Sequence, residues 1–343
     1  MTATAHINLD ALRNNVARLV ETVAPADVML AVKTNAYGHG LVEVAQTALS
    51  AGARRLAVLE PAAGIQLREA GISAPLFAWL FGEDTEWKLA IDSGIDLGIS
   101  RIEHLDAIAR AGAERPAQVH LKIDTGLHRN GASSESWPHL VQRALDLARS
   151  GIIDLVAAWS HLADASPEDD EDALRAFDEA ITEATALGAR FQITHIAASS
   201  AGLRMPHARR DAVRFGIIAY GISPFDNESA INLGFQQVMS LTAPVTEVTE
   251  QNITIAAGFA DGVHSTLTKD AFVTVKSHPL RIESVDVDHM VVAPHDDVNI
   301  GDTALIFGDG RHGEATAEVW AAWANTIGDE IVTHVTPRVP RTY

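Results

Sequence analysis

Short apolar runs recur along the first two-thirds of the chain, and each is followed by a stretch with helical spacing. From Val28 onward the runs are VMLAVKT, RLAVLE, PLFAWL, DLGIS, AQVHLKID, IDLVAAWSH, FQITHIAAS and DAVRFGI, eight in all. They are continuous rather than alternating, as strands covered on both faces of a parallel sheet are. Between them LVEVAQTALSAG and RIEHLDAIARAG end in glycine, the usual helix stop. EDDEDALRAFDEAITEATALG begins acidic and ends in glycine, in line with the helix dipole. Eight β-α units predict an α/β protein whose residues 1–224 form a (β/α)8 TIM-type barrel. A doubly wound open sheet is the competing arrangement, and the count of eight favours the barrel. After Pro224 the runs become short and rich in Val, Thr and Ile, as in VMSLTAPVTEVTEQNITIAAG, AFVTVKS, RIESVDVDHMVVAP and TALIFGDG. Residues 225–343 therefore read as a mainly β C-terminal domain, with AEVWAAWANTIG its only helix-like stretch.

In a barrel, chemistry sits where strands end and βα loops begin. The polar residues at those ends are Lys33 and Tyr37 after the first run, Lys122, Asp124 and Arg129 after the fifth, and Ser160 and His161 after the sixth. His195, Ser199 and Ser200 follow the seventh, and Arg214, Gly216 and Ile217 the eighth. Singly each has an ordinary explanation. A lone lysine is mostly at the surface, a lone histidine in a strand is more often core than catalyst, Ser199 is a helix cap, and Lys122 with Asp124 is an ion pair. Together they fall on one rim. Ser199 and Ser200 open a short helix-like piece and offer hydroxyls and N–H groups, and Phe215-Gly216-Ile217 brings backbone close, a combination suited to phosphate after strands seven and eight. A lysine facing such a site suggests a Schiff base with an aldehyde cofactor.

Composition removes other classes. The 343 residues hold 26 basic and 45 acidic side chains, a net charge of −19, which opposes nucleic-acid backbones and anionic membrane surfaces. No apolar run has the length of a membrane span, and MTATAHINLDALRNN lacks the basic start and apolar core of a secretory signal. With no cysteine, disulfides and thiolate metal sites are excluded, and a cytoplasmic location is expected. Metals are not implied, because His120, His128, His161 and His195 lack ligand spacing. SPEDDEDALRAFDEA is read as a solvated helix start, with a calcium site as the lesser alternative.

Several of these segments carry a family resemblance. AVKTNAYGHG resembles the pyridoxal-phosphate lysine motif of the alanine racemases, and four segments follow in that family's order: HLKIDTGLHRNG, WSHLADA, HIAASSAGLR and VRFGIIAYG. GFADG and RVPR resemble parts of its C-terminal domain. The resemblance spans almost the whole chain. It implies pyridoxal 5'-phosphate as cofactor, a small amino acid as substrate, interconversion of L- and D-alanine for cell-wall supply, and a head-to-tail homodimer with shared active sites. It also implies that the first strand, at about residues 5–10 near AHINLD, joins the β domain. Lys33 would be the Schiff-base lysine and one catalytic base. Tyr37, Ser199, Gly216 and Ile217 would hold the phosphate, Arg129 the phenolic oxygen, His161 the ring, and Arg214 the pyridine nitrogen. Lys122 would be the lysine that the family carbamylates to steady Arg129. Arginine stays protonated and donates no proton to the ring, which restrains side reactions.

The chain departs from that pattern in its C-terminal half. The family's second base is a tyrosine in GYADG, and here the position is Phe259. A phenol can carry a proton to the second face of the α-carbon, whereas a phenyl ring cannot, and a missing acid/base costs about 10²–10⁴ in rate. His264 is the nearest titratable substitute. The Met-Asp pair that helps bind the substrate carboxylate becomes Val285-Asp286, the tyrosine before RVPR becomes Pro337, and the asparagine before the phosphate-loop serine becomes Ala198. Three readings follow: a racemase with a replaced second base, a one-base enzyme of aldolase or decarboxylase type, and a paralogue that only binds the cofactor or an amino acid.

Overall fold

The computed structural model describes residues 2–343. The chain divides into two compact units. One comprises Val16–Lys33 and Ala48–Gly216, the other the segment up to Asn15 together with Thr34–Thr47 and Ile217–Tyr343.

The first strand, β1 (Thr4–Ile7), belongs to the second unit, and the next eight build the first. These are β2 (Asp27–Ala31), β3 (Arg55–Leu59), β4 (Leu76–Ala78), β5 (Ile95–Ile99), β6 (Ala117–Lys122), β7 (Ile153–Trp159), β8 (Ile193–His195) and β9 (Ala212–Phe215). Each pairs in parallel with its neighbours in the order β8-β7-β6-β5-β4-β3-β2-β9. The two ends of that order also meet. Asp211 N donates to Thr194 O and Arg214 N to Ala197 O, both at 3.1 Å. The Asp211 carboxylate accepts from Thr194 N at 2.7 Å and Thr194 Oγ1 at 2.8 Å. The sheet is thus closed, and the open doubly wound alternative is excluded.

Each of the eight strands falls on one of the eight apolar runs, with β2 and β5 starting one residue earlier, at Asp27 and Ile95. They are continuous because both faces are covered: Met29, Leu56, Leu97, Val119 and Phe215 are fully buried. The run PLFAWL is cut to three residues. Leu59, at φ +80°, turns out of the ladder, and its carbonyl collects both Trp79 N and Leu80 N at 2.9 Å. The helix Pro167–Ala186 begins with Ser166, whose hydroxyl accepts from Asp169 N at 3.1 Å. Its acidic start is not wholly solvated as expected. Asp170 is buried, its carboxylate accepts from Asp164 N at 3.2 Å, and burial raises its pKa.

The second unit is built on an antiparallel sheet of β10 (Met239–Val248), β11 (Ile253–Ile255), β12 (Phe272–Val275), β13 (His278–Val285), β14 (Met290–Val292) and β15 (Thr303–Phe307). β1 joins it, antiparallel to β10 with Ala5 opposite Leu241, and β16 (Arg341–Thr342) runs parallel to β1. The helix Ala317–Ala324 ends on Asn325 at φ +52°, a left-handed cap. A further helix, Gly328–Thr333, escaped the sequence reading because six residues are too few to display a period. Among the described residues no helix is long and apolar enough to cross a membrane.

Candidate active site

Lys33 lies two residues beyond the end of β2 and is half-buried. The next three residues, Thr34, Asn35 and Ala36, all have φ +54°, and Tyr37 has φ +52°. This is a left-handed turn of four non-glycine residues, a conformation that costs about 1–2 kcal/mol per residue. A set of hydrogen bonds fixes it: Gly38 N to Thr34 O at 3.0 Å, His39 N to Ala36 O at 3.0 Å and Gly40 N to Asn35 O at 3.1 Å. Asn35 Oδ1 then accepts from Leu41 N at 2.9 Å at the start of the helix Leu41–Ser50. His39, missed by the sequence reading, completes the set. Its Nδ1 donates to Ala36 O at 3.0 Å and Tyr37 O at 2.9 Å. Its ring is fully buried, and burial lowers its pKa to about 4, so it is neutral at pH 7.

Inside the barrel, Arg214 on β9 is buried and spends its guanidinium on four acceptors. Nη1 donates to His195 Nδ1 at 2.8 Å; Nη2 donates to Ser160 O and Ile196 O at 2.8 Å and to His161 Nδ1 at 3.0 Å. A guanidinium can only donate, so Nδ1 of both histidines must accept. The neutral His195 ring therefore carries its proton on Nε2 and donates it to His120 Nδ1 at 3.0 Å. His120 in turn carries its proton on Nε2, which faces Asp96 Oδ2 across 3.4 Å. Burial is the main cause that keeps His120, His161 and His195 below the usual histidine range. The string Asp96–His120–His195 thus sets the acceptor that holds Arg214. His195 is wholly interior rather than on the rim where the sequence placed it.

His161 also reports the charge of the mouth. After burial, its pKa is lowered by Arg214, Arg129, Lys122 and Lys33, four cations in a chain of net charge −19. Lys122 is 3% exposed, and its Nζ lies 4.5 Å from the centre of the Trp159 ring. Burial, then Arg214 and Arg129, lower its pKa to about 8. The Lys122–Asp124 ion pair, the ordinary alternative for these two residues, is not made. Asp124 instead closes its own loop, with Oδ1 accepting from Gly126 N and His128 N at 3.1 Å. Arg129 follows on that loop, exposed.

After β8 the helix Ser199–Arg204 starts with a buried serine whose Oγ accepts from Gly216 N, beyond β9, at 3.2 Å. Gly202 permits the close approach, since a Cβ there would lie 2.5 Å from Val213 Cγ1. One polar cradle thus joins the loops after β8 and β9. Ser200, expected to offer a second hydroxyl, donates it to Asp164 Oδ1 at 2.6 Å instead. Ser160 is likewise committed, donating to Ile123 O at 2.7 Å.

A barrel with a lysine after its first strand, a cationic mouth and a serine–glycine cradle after its last two can be compared with known proteins. The profile for "Alanine racemase, N-terminal domain" matches residues 7–224, and that for "Alanine racemase, C-terminal domain" matches residues 239–343. The chain belongs to the alanine racemase family. It is 38% identical over 367 residues to an alanine racemase of Thermobifida fusca, covering 99% of this chain and 98% of that one. Among solved structures, the alanine racemase of D-cycloserine-producing Streptomyces lavendulae superposes with a TM-score of 0.95 at 34% identity, covering 100% of this chain and 97% of that one. That of Streptomyces coelicolor A3(2) gives 0.94 at 33%, covering 100% and 98%. Alanine racemases are pyridoxal 5'-phosphate-dependent isomerases, so the cofactor and the reaction class are those of the family.

The second unit carries the other residues that the family resemblance singles out. Tyr37 is buried with its ring centre 5.0 Å from that of Tyr220, and Ile217 is buried in a short turn. Phe259 is 49% exposed, and its N–H donates to Asp286 O at 2.9 Å. Ala260 N does the same to Val287 O at 2.8 Å, which sets Phe259 beside Val287, also exposed. Val285 ends β13, and the Asp286 carboxylate faces His289 at 3.6 Å. His264 does not stand alone. His334 Nδ1 lies 3.0 Å from His264 Nε2. Burial, then His334, lowers the His264 pKa, while Glu330 raises it. Pro337 is exposed.

Proposed function

We propose that this protein interconverts L- and D-alanine, with Lys33 as the base on one face of the α-carbon. The observation that carries the reading is the gathering of Arg214, 3.0 Å from His161 Nδ1, and Lys122, 4.5 Å from the Trp159 ring centre, in the same barrel unit as Lys33 of an otherwise acidic protein. Such a mouth suits a phosphate, a phenolic oxygen and an amino-acid carboxylate. The barrel residues fit pyridoxal 5'-phosphate, which when bound supplies an aldehyde for amines and a ring that withdraws electrons from the α-carbon. Ser199 Oγ and Gly216 N are the groups for its phosphate. Arg214, fixed by its four acceptors, would face the ring nitrogen as a cation. Its pKa, lowered to about 9 by burial, still leaves it charged at pH 7.

Lys33 takes the α-proton on its side and returns it. Lys122 is suited to carbamylation: a neutral amine adds to CO2 and releases one proton, leaving a carbamate anion beside Arg129. The pKa of about 8 makes roughly a tenth of Lys122 neutral at pH 7. For the second face, Phe259 holds no proton. The His264–His334 pair, whose first member lies five residues beyond Phe259 in sequence, is an acid/base set in the same unit, and we assign it that role. Exposed Phe259 and Val287 on one patch support a homodimer that covers them. The expected location is the cytoplasm, where D-alanine is made for the cell wall.

The absent hydroxyl also favours a second reading, a one-base enzyme acting through Lys33 alone. Incubating each alanine enantiomer in D2O separates the two. Deuterium incorporated with inversion from both enantiomers supports the racemase. Incorporation with retention supports one base, and no incorporation refutes both. The Lys33→Ala variant should lose exchange entirely.

A further inference from the structure

We propose that His278, His295 and Asp297, on the β unit and apart from every residue assigned above, form a binding site for a late first-row divalent cation such as Zn2+. The three offer one ligand atom each, all within 4.8 Å of one another. Chain segments far apart in sequence present them. His278 is the first residue of β13 and pairs with Val275 across a two-residue turn, Lys276–Ser277, whose φ values are +48° and +67°. Such a turn is that of a tight hairpin, so the position of His278 is set by the sheet. His295 and Asp297 lie in the loop after β14. That loop is tied down by Asn299 N on Asp302 Oδ2 at 2.7 Å and by Asn299 Nδ2 on Asp297 O at 3.2 Å. Lys276 links turn to loop, with Nζ 3.0 Å from Asp297 O and 2.7 Å from Asp302 Oδ2.

The donors themselves remain available. The Asp297 carboxylate has His278 Nε2 as its ionic neighbour at 3.6 Å, outside hydrogen-bond range, and the lysine engages only the carbonyl of Asp297. His295 Nδ1 accepts from Asp297 N across 3.3 Å, a long contact that a cation replaces at little cost. The two imidazole rings are stacked, 4.0 Å apart centre to centre with 26° between their planes, so one ring turns on binding to bring both nitrogens to one ion. Two imidazoles and one carboxylate are a ligand set for zinc, nickel, cobalt or copper, with water in the open positions. An oxygen-seeking cation such as Ca2+ or Mg2+ takes six or more oxygens and finds one carboxylate here. Binding would pin the β12–β13 hairpin to the loop after β14.

The test is calorimetric titration of the full chain, stripped of metal, with ZnCl2 at pH 7.5. One Zn2+ per chain is expected, with affinity reduced at least tenfold in His278→Ala and in Asp297→Asn. The second variant changes an exposed side chain and guards against a folding defect in the first. Co2+ should give the visible absorption of a nitrogen- and oxygen-bound ion, also lost in His278→Ala, and Ca2+ should give no heat. The proposal is overturned if no Zn2+ binds, if both variants bind it unchanged, or if binding is lost only in His334→Ala, which would place the ion at the other exposed histidine pair.

Discussion

Protonating His39 should unfasten the segment that carries Lys33, and the size of the effect follows from burial. The ring donates from Nδ1 to Ala36 O and Tyr37 O, while Nε2 is buried without a hydrogen-bond partner among the described residues. A second proton would therefore go to a site that offers it no acceptor. Arg341 adds to the cost, since its charge also lowers the His39 pKa while its Nε donates to Gly38 O at 3.0 Å. The folded-state pKa of about 4 lies below the unfolded value of 6.5, so between those pH values the unfolded chain binds more protons. Stability is thus full above pH 6.5 and falls as pH drops toward 4. At pH 4.5 this one group should cost about 2–3 kcal/mol relative to pH 7.5. Urea unfolding of the cofactor-free protein at both pH values measures the total loss.

The comparison that isolates His39 is His39→Gln, whose amide can still donate to the two carbonyls but does not titrate. That variant should lose about 1 kcal/mol at pH 7.5. Its loss on going to pH 4.5 should be smaller than the wild type's by about 2–3 kcal/mol. Equal losses in the two proteins, within about 0.5 kcal/mol, would refute the reasoning and show that His39 is not the neutral clamp of the turn.

Three other outcomes are expected. Phe259→Tyr should raise racemisation at least tenfold with little change in stability, since the ring is half-exposed, and alanine racemisation followed by chiral chromatography checks it. Supplying 13C-bicarbonate should give a carbamate carbon resonance that disappears in Lys122→Arg; no such signal in the wild type at pH 8 would exclude the modification. Asp96→Leu should lower the urea midpoint more than Asp96→Asn, because it removes the oxygen that faces the buried His120 Nε2 across 3.4 Å without hydrogen-bonding it; equal midpoints for the two would show that the string does not depend on Asp96.

What the sequence revealed and what it hid divide along physical lines. The eight strands were legible because strands covered on both faces are written as unbroken apolar runs such as RLAVLE, and each of β2 to β9 falls on one of those runs, some over only part of it. Register and closure were not, since they depend on pairs such as Asp211 with Thr194 that only the folded chain brings together. The strand-end lysine, arginine and serines could be picked out by position, but not their partners. Lys122 lies by Trp159 rather than Asp124, and Ser200 answers Asp164. The Asp96–His120–His195 string links residues 24 to 99 positions apart, and its tautomers follow only from Arg214 at its end. The left-handed turn after Lys33 was equally hidden. Its residues Thr34, Asn35, Ala36 and Tyr37 are ordinary, and Gly38 and Gly40 mark only its exit.

The cationic mouth has a consequence for stability as well as for chemistry. Lys33, Lys122, Arg129 and Arg214 act together on one partly buried histidine, and like charges at such a site raise the energy of the folded state. Lys122 shows this directly, for the two arginines join burial in lowering its pKa, which leaves the folded barrel with less affinity for that proton than the unfolded chain has. Between pH 8 and the ordinary lysine value near 10.4, the unfolded state binds the extra proton, so stability should rise with pH across that window. In the chain whose Lys122 is not carbamylated, an anion seated among these charges reduces the repulsion without any change of pH. Inorganic phosphate should therefore raise the thermal midpoint of the cofactor-free protein, and pyridoxal 5'-phosphate should raise it more than pyridoxal does at equal occupancy. If pyridoxal stabilises as much as its phosphate ester, the phosphate adds no binding energy in the cradle, and the assignment of Ser199 and Gly216 to that group fails.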